Sequence, residues 1–161
     1  MKLAKMPDGS PEIYNAVQGE GLTQGLPIVF VRQSLCNLAC KWCDSYYTWF
    51  FKGDKRPHDF GKPVEKKDFQ MTLTPLEMVE WINKARKGHR NVVFTGGEPL
   101  LQQAEIVETI DLLHAEDIPD GEKGWYFEIE TNGTLKISEE LGKRLNQINS
   151  SPKLESSGNS K

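Results

Sequence analysis

The residues best suited to chemistry in this chain are its three cysteines, Cys36, Cys40 and Cys43, which form a single Cys-x3-Cys-x2-Cys run. Because they lie so close in sequence, their thiols can converge on one small object without help from distant parts of the chain. A closed tetrahedral zinc site and an ordinary four-thiolate iron–sulfur cluster each need four ligands. The run therefore indicates a metal site that leaves one coordination position for another group.

Three other interpretations of the cysteines are weaker. A disulfide framework fits poorly, because the count is odd and the start of the chain, residues 1–7, lacks the apolar stretch of a signal peptide. Zinc would need a fourth ligand, and His58, the nearest histidine, lies at no usual zinc spacing. Chance burial of three thiols as small hydrophobic groups does not account for their spacing. A metal cluster is the favoured interpretation.

Two stretches resemble motifs of the radical S-adenosylmethionine (SAM) superfamily. One is the cysteine run with the aromatic Trp42 before its last cysteine, and the other is Gly96-Gly97-Glu98, which follows a predicted strand. In that superfamily three thiolates hold a 4Fe–4S cluster, and the amino and carboxylate groups of SAM chelate the open fourth iron. The resemblance implies that this chain binds a 4Fe–4S cluster, SAM and Mg²⁺, the last through Ser45, where the family usually has threonine. The implied metal ligands are Cys36, Cys40, Cys43 and Ser45, and the implied SAM-binding residues are Trp42, Cys43, Asp44, Gly97, Glu130, Ser151, Pro152 and Lys153.

A glycine-flanked carboxylate precedes the first predicted strand, in the sequence Gln18-Gly19-Glu20-Gly21. Composition alone favours a solvated turn here, since two glycines make the backbone permissive. The stretch resembles the substrate-binding opening of the superfamily branch that makes 7-deazapurines in the queuosine pathway. The resemblance implies a carbon–nitrogen lyase that converts 6-carboxy-5,6,7,8-tetrahydropterin to a carboxylated 7-deazapurine with loss of ammonia, using SAM catalytically. The implied substrate-binding residues are Val17, Gln18, Gly19, Glu20, Arg32 and Thr95.

Length and charge set the broad class of the protein. The chain has 161 residues and a formal net charge of −3, which predicts one domain with a sizeable core. The slightly acidic balance gives no argument for binding nucleic acid or an anionic membrane, and no segment approaches the roughly twenty apolar residues of a membrane span. Together with free thiols, these features predict a cytoplasmic protein. The resemblance adds a pterin substrate, a flavodoxin-type or ferredoxin-type electron donor and a homodimer.

The elements that must position these residues begin with a strand. An apolar, mostly β-branched run at 28–32 predicts a buried strand of the parallel type that leads directly into the cysteine loop. Arg32 ends this strand, where its planar fork suits a substrate carboxylate. A capping box, Thr74-Pro75-Leu76-Glu77, then begins a helix that ends at Gly88 and whose predicted apolar face is Leu76, Val79, Ile82 and Ala85.

The alternation of strands and helices continues to the end of the chain. Strands are predicted at 91–95, 125–131 and 148–150, with a helix over 100–113 and a short helix after Ser138 that runs through Leu145. This order implies an α/β fold with a parallel sheet and right-handed crossovers. The resemblance sharpens it to a partial (β/α) barrel of the radical SAM type, in a single domain of residues 1–161 with an inserted polar loop around 46–73.

Two other functions remain open. A glycyl-radical-enzyme activase would share the cysteine loop and the Gly-Gly-Glu motif, but it gives no reason for the glycine-flanked carboxylate at 18–21. A truncated, non-catalytic iron–sulfur or SAM-binding module would keep the site without the chemistry. Its support is length, because family members continue well past Ser151-Pro152-Lys153, whereas this chain stops at Lys161 in a tail of loop composition. A fragment, a truncated form, or a minimal version that completes its barrel by association would each explain that ending.

Overall fold

The computed structural model describes residues 1–159 and contains a seven-stranded mixed sheet with helices between the strands. Ser160 and Lys161, the end of the predicted tail, lie outside the described residues. Along the sheet the strands run in the order β4-β1-β3-β5-β6-β7, and β2 also pairs with β3. In chain order the elements are β1 (Lys2–Ala4), β2 (Ile13–Val17), β3 (Pro27–Gln33), α1 (Lys66–Phe69), β4 (Gln70–Thr72), α2 (Pro75–Ala85), β5 (Asn91–Gly96), α3 (Gln103–His114), β6 (Tyr126–Thr131), α4 (Glu139–Gly142) and β7 (Gln147–Ser150).

Four strands form the parallel part of the sheet and confirm the predicted α/β fold class. Strands β3, β5, β6 and β7 pair in parallel, and their register sets Arg32 beside Thr95 and Glu130 beside Asn149. All four strands therefore end at the same edge of the sheet. Loops that follow parallel strands meet at this edge, which is where such sheets carry their ligand sites.

The antiparallel part of the sheet was missing from the sequence prediction, which was wrong in expecting parallel strands alone. Strand β2 pairs antiparallel with β3, from Ile13 opposite Val31 to Val17 opposite Pro27, and β1 pairs antiparallel with both β3 and β4. The connection at 18–26 is too short for a crossover helix, which needs a dozen or more residues, so it returns the chain as a hairpin. Strand β4 and α1 both lie within 46–73, the segment predicted as an inserted polar loop.

Helix α2 begins as the sequence predicts. The Thr74 hydroxyl accepts the backbone N–H of Glu77, and the Glu77 carboxylate accepts the backbone N–H of Thr74. The predicted apolar face was wrong at Leu76, which is 64% exposed, whereas Met78 and Ile82 are fully buried. Leu76 lies two positions before Met78, about 200° away around the helix, and so points away from the core. The two later helices differ from the predicted ones at one end each. Helix α3 begins at Gln103, after a 3-10 turn over 99–102, and α4 ends at Gly142, before Leu145.

The two faces of the parallel strands differ in chemistry, because successive side chains of a strand point to opposite sides. One face contributes apolar side chains that pack with α2 and α3 in the core, among them Val29, Val31, Phe94, Phe127 and Ile129. Burying each such side chain contributes about 1.5–3 kcal/mol to folding. The other face carries the buried Ile28 and Val93 and, in addition, the polar side chains of Arg32, Thr95, Glu128 and Glu130. None of the helices in residues 1–159 has the length and hydrophobicity that a membrane span requires.

Candidate functional site

A cavity of about 380 Å³ lies at the edge of the sheet where the parallel strands end. Its wall brings together residues that are far apart in sequence, from the hairpin loop after β2 to the segment after β7. Of the predicted site residues, the following line it: Gln18, Gly19, Glu20, Arg32, Cys36, Cys40, Trp42, Cys43, Asp44, Ser45, Thr95, Gly97, Glu130, Ser151 and Lys153. Their individual roles stay predictions, but their meeting around one space is a property of the fold.

Two predicted site residues do not line the cavity. Val17, the last residue of β2, is 67% exposed, whereas the next residue, Gln18, is 3% exposed. Adjacent side chains of an extended segment point in opposite directions, so only Gln18 faces the site. Pro152 is exposed between Ser151 and Lys153, which do line the cavity. Val17 as a substrate-binding residue and Pro152 as a SAM-binding residue stay predictions, for positions that do not line this cavity.

Backbone hydrogen bonds tie the start of the cysteine loop to Glu98, just after β5, and to the 3-10 turn over 46–48. The N–H of Glu98 donates to the carbonyl of Leu35 at 2.8 Å. Leu35 takes a positive φ of 81°, unusual for a residue other than glycine, and its N–H donates to the carbonyl of Thr48 at 2.8 Å. Cys40 is buried, and Cys36 and Cys43 are half-buried. Burial raises the pKa of the Cys36 thiol to about 11, so a bound metal would have to displace its proton.

The thiols line a shared cavity without gathering around one point. Within residues 1–159, no group of three or more His, Cys, Asp and Glu side chains is close enough to hold a single metal ion. A single ion bound by sulfur at about 2.3 Å would hold its ligand atoms about 4 Å apart. Cys36, Cys40 and Cys43 line one cavity and supply three of the thiolate donors that an iron–sulfur cluster takes. The donor set thus fits a cluster with one iron left open.

His58 does not complete a zinc site. Its Nδ1 accepts the backbone N–H of Gly61 at 2.7 Å, which leaves Nε2 as the donor to the carbonyl oxygen of Cys43 at 3.0 Å. Both ring nitrogens are therefore used, and the ring packs against Tyr46 and Phe50. This histidine joins the segment after the cysteines to the cysteine loop. Trp49, from the same aromatic stretch, is 5% exposed and lines the cavity.

Gly96 and Gly97 let β5 approach the cysteine loop closely. Gly96 has a φ of +119°, and a Cβ there would lie 2.2 Å from the carbonyl oxygen of Gln33. A Cβ on Gly97 would lie 2.0 Å from the carbonyl oxygen of Leu35 and 3.3 Å from Cβ of Cys36. No side chain fits at either position, so the Gly-Gly pair sets the distance between the strand end and the first cysteine.

Glu98, the third residue of that motif, is fully buried and tied to the next strand. Its Oε1 accepts the hydroxyl of Thr131 at 2.8 Å, and its Oε2 accepts the backbone N–H of Asn132 at 2.8 Å. Oε1 also accepts the N–H of Leu100 at 3.0 Å. The carboxylate therefore fixes the ends of β5 and β6 relative to each other, beside the cavity.

A polar network joins three residues of the cavity wall, Gln18, Thr95 and Glu130, to Glu128 behind them. The Gln18 side-chain amide donates to Glu128 at 3.1 Å and to Glu130 at 3.3 Å, and the Thr95 hydroxyl donates to Glu130 at 2.6 Å. Burial raises the pKa of Glu130. Sequence reasoning missed Glu128, which is 1% exposed and has an oxygen, Oε1, without a hydrogen-bond partner among the described residues.

Arg32 is oriented by two residues that sequence reasoning missed. Its Nε donates to Glu12 Oε1 at 2.6 Å, and the Tyr47 hydroxyl lies 3.0–3.1 Å from both oxygens of the same carboxylate. Burial lowers the pKa of Arg32, but the charge of Glu12, the hydrogen bond to Glu12 and the neighbouring Tyr47 and Tyr14 together outweigh this, and the net pKa is raised. The guanidinium also lies 4.8 Å from the centre of the Phe30 ring. Within residues 1–159, no hydrogen bond occupies its two terminal nitrogens, which remain for a ligand.

Ser151 and Lys153, from the segment after β7, contribute to the cavity wall together with Trp42 and Ser45. The Lys153 ammonium donates to the Ser151 hydroxyl at 2.8 Å and lies 6.0 Å from the centre of the Trp42 ring. The Ser45 hydroxyl lies 3.6 Å from the sulfur of Cys43 and makes no capping bond to the 3-10 turn that follows it. Among residues 1–159, the sulfur of Cys43 is the only partner recorded for this hydroxyl.

Comparisons with known proteins agree with this geometry. A sequence profile of the radical SAM superfamily matches residues 30–152. The 7-carboxy-7-deazaguanine synthase of Thermoplasma acidophilum is 34% identical over 129 residues, which are 78% of this chain and 47% of that protein. The corresponding enzyme of Koribacter versatilis is 37% identical over 129 residues, or 79% of this chain and 45% of that protein.

A solved structure is similar over nearly the whole chain. The crystal structure of QueE from Escherichia coli superposes with a TM-score of 0.60 at 26% identity, covering 96% of this chain and 61% of that one. This chain spans about half the length of the curated relatives it matches.

Proposed function

The chain belongs to the radical SAM superfamily, and we propose that it acts as a carbon–nitrogen lyase on 6-carboxy-5,6,7,8-tetrahydropterin, giving 7-carboxy-7-deazaguanine and ammonia. The observation that carries the proposal is the single cavity lined by the cysteines, the Gly-Gly pair, and the Gln18, Arg32 and Glu130 side chains. Relatives at 30–37% identity are named for this reaction.

Membership of the superfamily implies a 4Fe–4S cluster and SAM, and the residues present fit both. Cys36, Cys40 and Cys43 would hold the cluster, and Gly97, with no room for a side chain, leaves its backbone open to SAM at the cavity wall. When bound, the two together supply one-electron chemistry that removes a hydrogen atom from the substrate and returns it. The protein contributes binding, orientation and exclusion of water.

The substrate end of the cavity matches a reduced carboxypterin in charge. The Arg32 fork, already oriented by Glu12, suits the substrate carboxylate through its two terminal nitrogens. Glu20 supplies a carboxylate that suits the N–H donors of the pyrimidine ring, and Gln18 and Thr95 line the same cavity. Because Glu130 is hydrogen-bonded to both Thr95 and Gln18, all three side chains act as one preset unit. Trp49 contributes an apolar wall that keeps water from the reacting centre.

Further parts of the proposal rest on the family resemblance. Mg²⁺ would be held by the Ser45 hydroxyl, which has no capping role in the fold. The electron needed for each turnover would come from a flavodoxin-type or ferredoxin-type donor. The working protein would be a cytoplasmic homodimer.

The test is anaerobic reconstitution with iron and sulfide, followed by incubation with SAM, reductant and 6-carboxy-5,6,7,8-tetrahydropterin. We expect 5′-deoxyadenosine to form and the pterin to be converted to 7-carboxy-7-deazaguanine. SAM cleavage without pterin conversion would contradict the substrate, and a glycyl radical formed on a supplied partner protein would then identify an activase. A cluster that never cleaves SAM would identify a non-catalytic binding module.

A further inference from the structure

The segment that follows β7 packs directly on the cysteine loop. The backbone N–H of Lys41 donates to the carbonyl of Ser157 at 3.0 Å, and the Trp42 indole N–H donates to the carbonyl of Ser156 at 3.2 Å. Gly158, with a φ of +81°, ends a short 3-10 turn over 155–157 and lies against the Lys41 side chain. This left-handed residue redirects the chain so that Asn159 reaches the middle cysteine.

The orientation of the Asn159 side-chain amide follows from its partners. Its Oδ1 accepts the backbone N–H of Ala39 at 2.8 Å, and a backbone N–H can only donate. The Nδ2 group must therefore face the other way, where it lies 3.1 Å from Sγ of Cys40 and 3.0 Å from the hydroxyl of Ser157. Cys40 is 7% exposed and Ser157 is fully buried, so this N–H···S contact is shielded from water.

The other two sulfurs have different surroundings. Sγ of Cys36 receives the backbone N–H of Leu38 at 3.4 Å, a contact that comes from within the loop itself. Sγ of Cys43 lies 3.6 Å from the Ser45 hydroxyl. Among the described residues, Asn159 is thus the only side-chain amide that donates to a cysteine sulfur of the site. It comes from 119 positions further along the chain.

A hydrogen bond to a ligand sulfur changes the reduction potential of an iron–sulfur cluster. The bond strengthens when the cluster gains an electron, because the sulfur then carries more negative charge, and it is strongest where water is excluded. It therefore favours the reduced form. We propose that Asn159 is a positioning residue that raises the reduction potential of the cluster by donating a hydrogen bond to the thiolate of Cys40. The inference rests on the superfamily's cluster and does not depend on the pterin as substrate.

Two substitutions remove the donor in different ways. Asn159→Asp keeps an oxygen that can accept the Ala39 N–H, but presents a negative oxygen to the sulfur. Asn159→Leu removes both hydrogen bonds with little change in size. Ser156→Ala is the matched control in the same segment, because Ser156 contacts the cysteine loop through its backbone carbonyl alone and its side chain is exposed.

The measurement is a redox titration of the reconstituted proteins, followed by electron paramagnetic resonance without SAM or pterin, with iron content determined in parallel. We expect both Asn159 variants to favour the oxidised cluster about tenfold more than the unaltered protein, which is about 59 mV for one electron. The Asp variant should show the larger shift, and Ser156→Ala should titrate like the unaltered protein.

Unchanged potentials in both loaded Asn159 variants would overturn the proposal. Failure of both variants to hold a cluster would also overturn it, because Asn159 would then be required for assembly and would not tune an assembled cluster. The titration uses no substrate, so its result does not depend on the proposed lyase activity. If the protein fails to convert the pterin but the potentials shift as expected, the lyase activity is disproved and this inference stands.

Discussion

Replacing Arg32 with alanine tests how the proposed site recognises its substrate. The Arg32 side chain is 19% exposed, it is paired through Nε with Glu12, and its two terminal nitrogens are open to the cavity. The substitution removes the fork and leaves a substrate carboxylate without a partner in a water-poor pocket. Unpaired charged groups of this kind cost about 1.5–3 kcal/mol. We therefore expect pterin affinity to fall roughly a hundredfold, while SAM is still cleaved slowly and unproductively.

The same substitution also destabilises the fold. Glu12, whose side chain is 11% exposed, keeps only the Tyr47 hydroxyl as a partner and becomes an uncompensated charge. Breaking a buried ion pair costs about 3–5 kcal/mol. Because this pair is partly exposed, we take the lower value of about 3 kcal/mol, which for a chain of this size lowers Tm by about 6–12 °C.

A double variant separates the two effects. Combining Arg32→Ala with Glu12→Gln removes the uncompensated charge but keeps an oxygen that accepts the Tyr47 hydroxyl. We expect this protein to regain most of the lost Tm and none of the lost affinity. The assay is pterin binding by titration calorimetry with SAM present, together with thermal unfolding of each variant.

Pterin binding by Arg32→Ala within about threefold of the unaltered protein would refute the assignment of the fork. Recovery of affinity in the double variant would show that the loss came from a distorted site and not from the missing guanidinium. SAM binding, measured separately, should be the same in all three proteins, since Arg32 is assigned no contact with SAM.

Three further predictions concern the cluster ligand Cys40, the proposed Mg²⁺ ligand Ser45 and the buried carboxylate of Glu130. Cys40→Ala should abolish SAM cleavage and lower the iron content, because the chain has three cysteines and no fourth that could replace Cys40; retained cleavage would disprove the cluster ligation. Ser45→Ala should remove any rise in turnover with added Mg²⁺ while iron content stays unchanged, since the hydroxyl caps no helix; an unaltered response would exclude the role. Burial raises the pKa of Glu130 above its ordinary value of 4.5, so the native state binds this proton more tightly than the unfolded state does. The free energy of unfolding should therefore fall as the pH rises from 4.5 through the pKa of the folded state. Glu130→Gln should flatten this part of the curve of urea unfolding against pH, and an unchanged slope would contradict the raised pKa.

Features governed by neighbours in the sequence could be predicted without a structure. The Cys36–Cys43 run, the Gly-Gly pair and the capping box at Thr74 each depend on residues within a few positions of one another. The parallel strands and the helices between them follow from hydrophobic periodicity, which is also local. These elements are enough to predict an α/β fold and a cluster-binding loop at a strand end.

Features governed by register and packing required the tertiary structure. Strand β2 was not predicted from the sequence, since its antiparallel pairing with β3 depends on how the hairpin closes. Arg32 is paired with Glu12, which lies 20 positions earlier in the chain. Cys40 is paired with Asn159, which lies 119 positions later. Neither residue carries a local signal, because a carboxylate or an amide fits a solvated loop equally well. Their roles were decided only when the folded sheet brought each within hydrogen-bonding distance of its partner and excluded water from the contact.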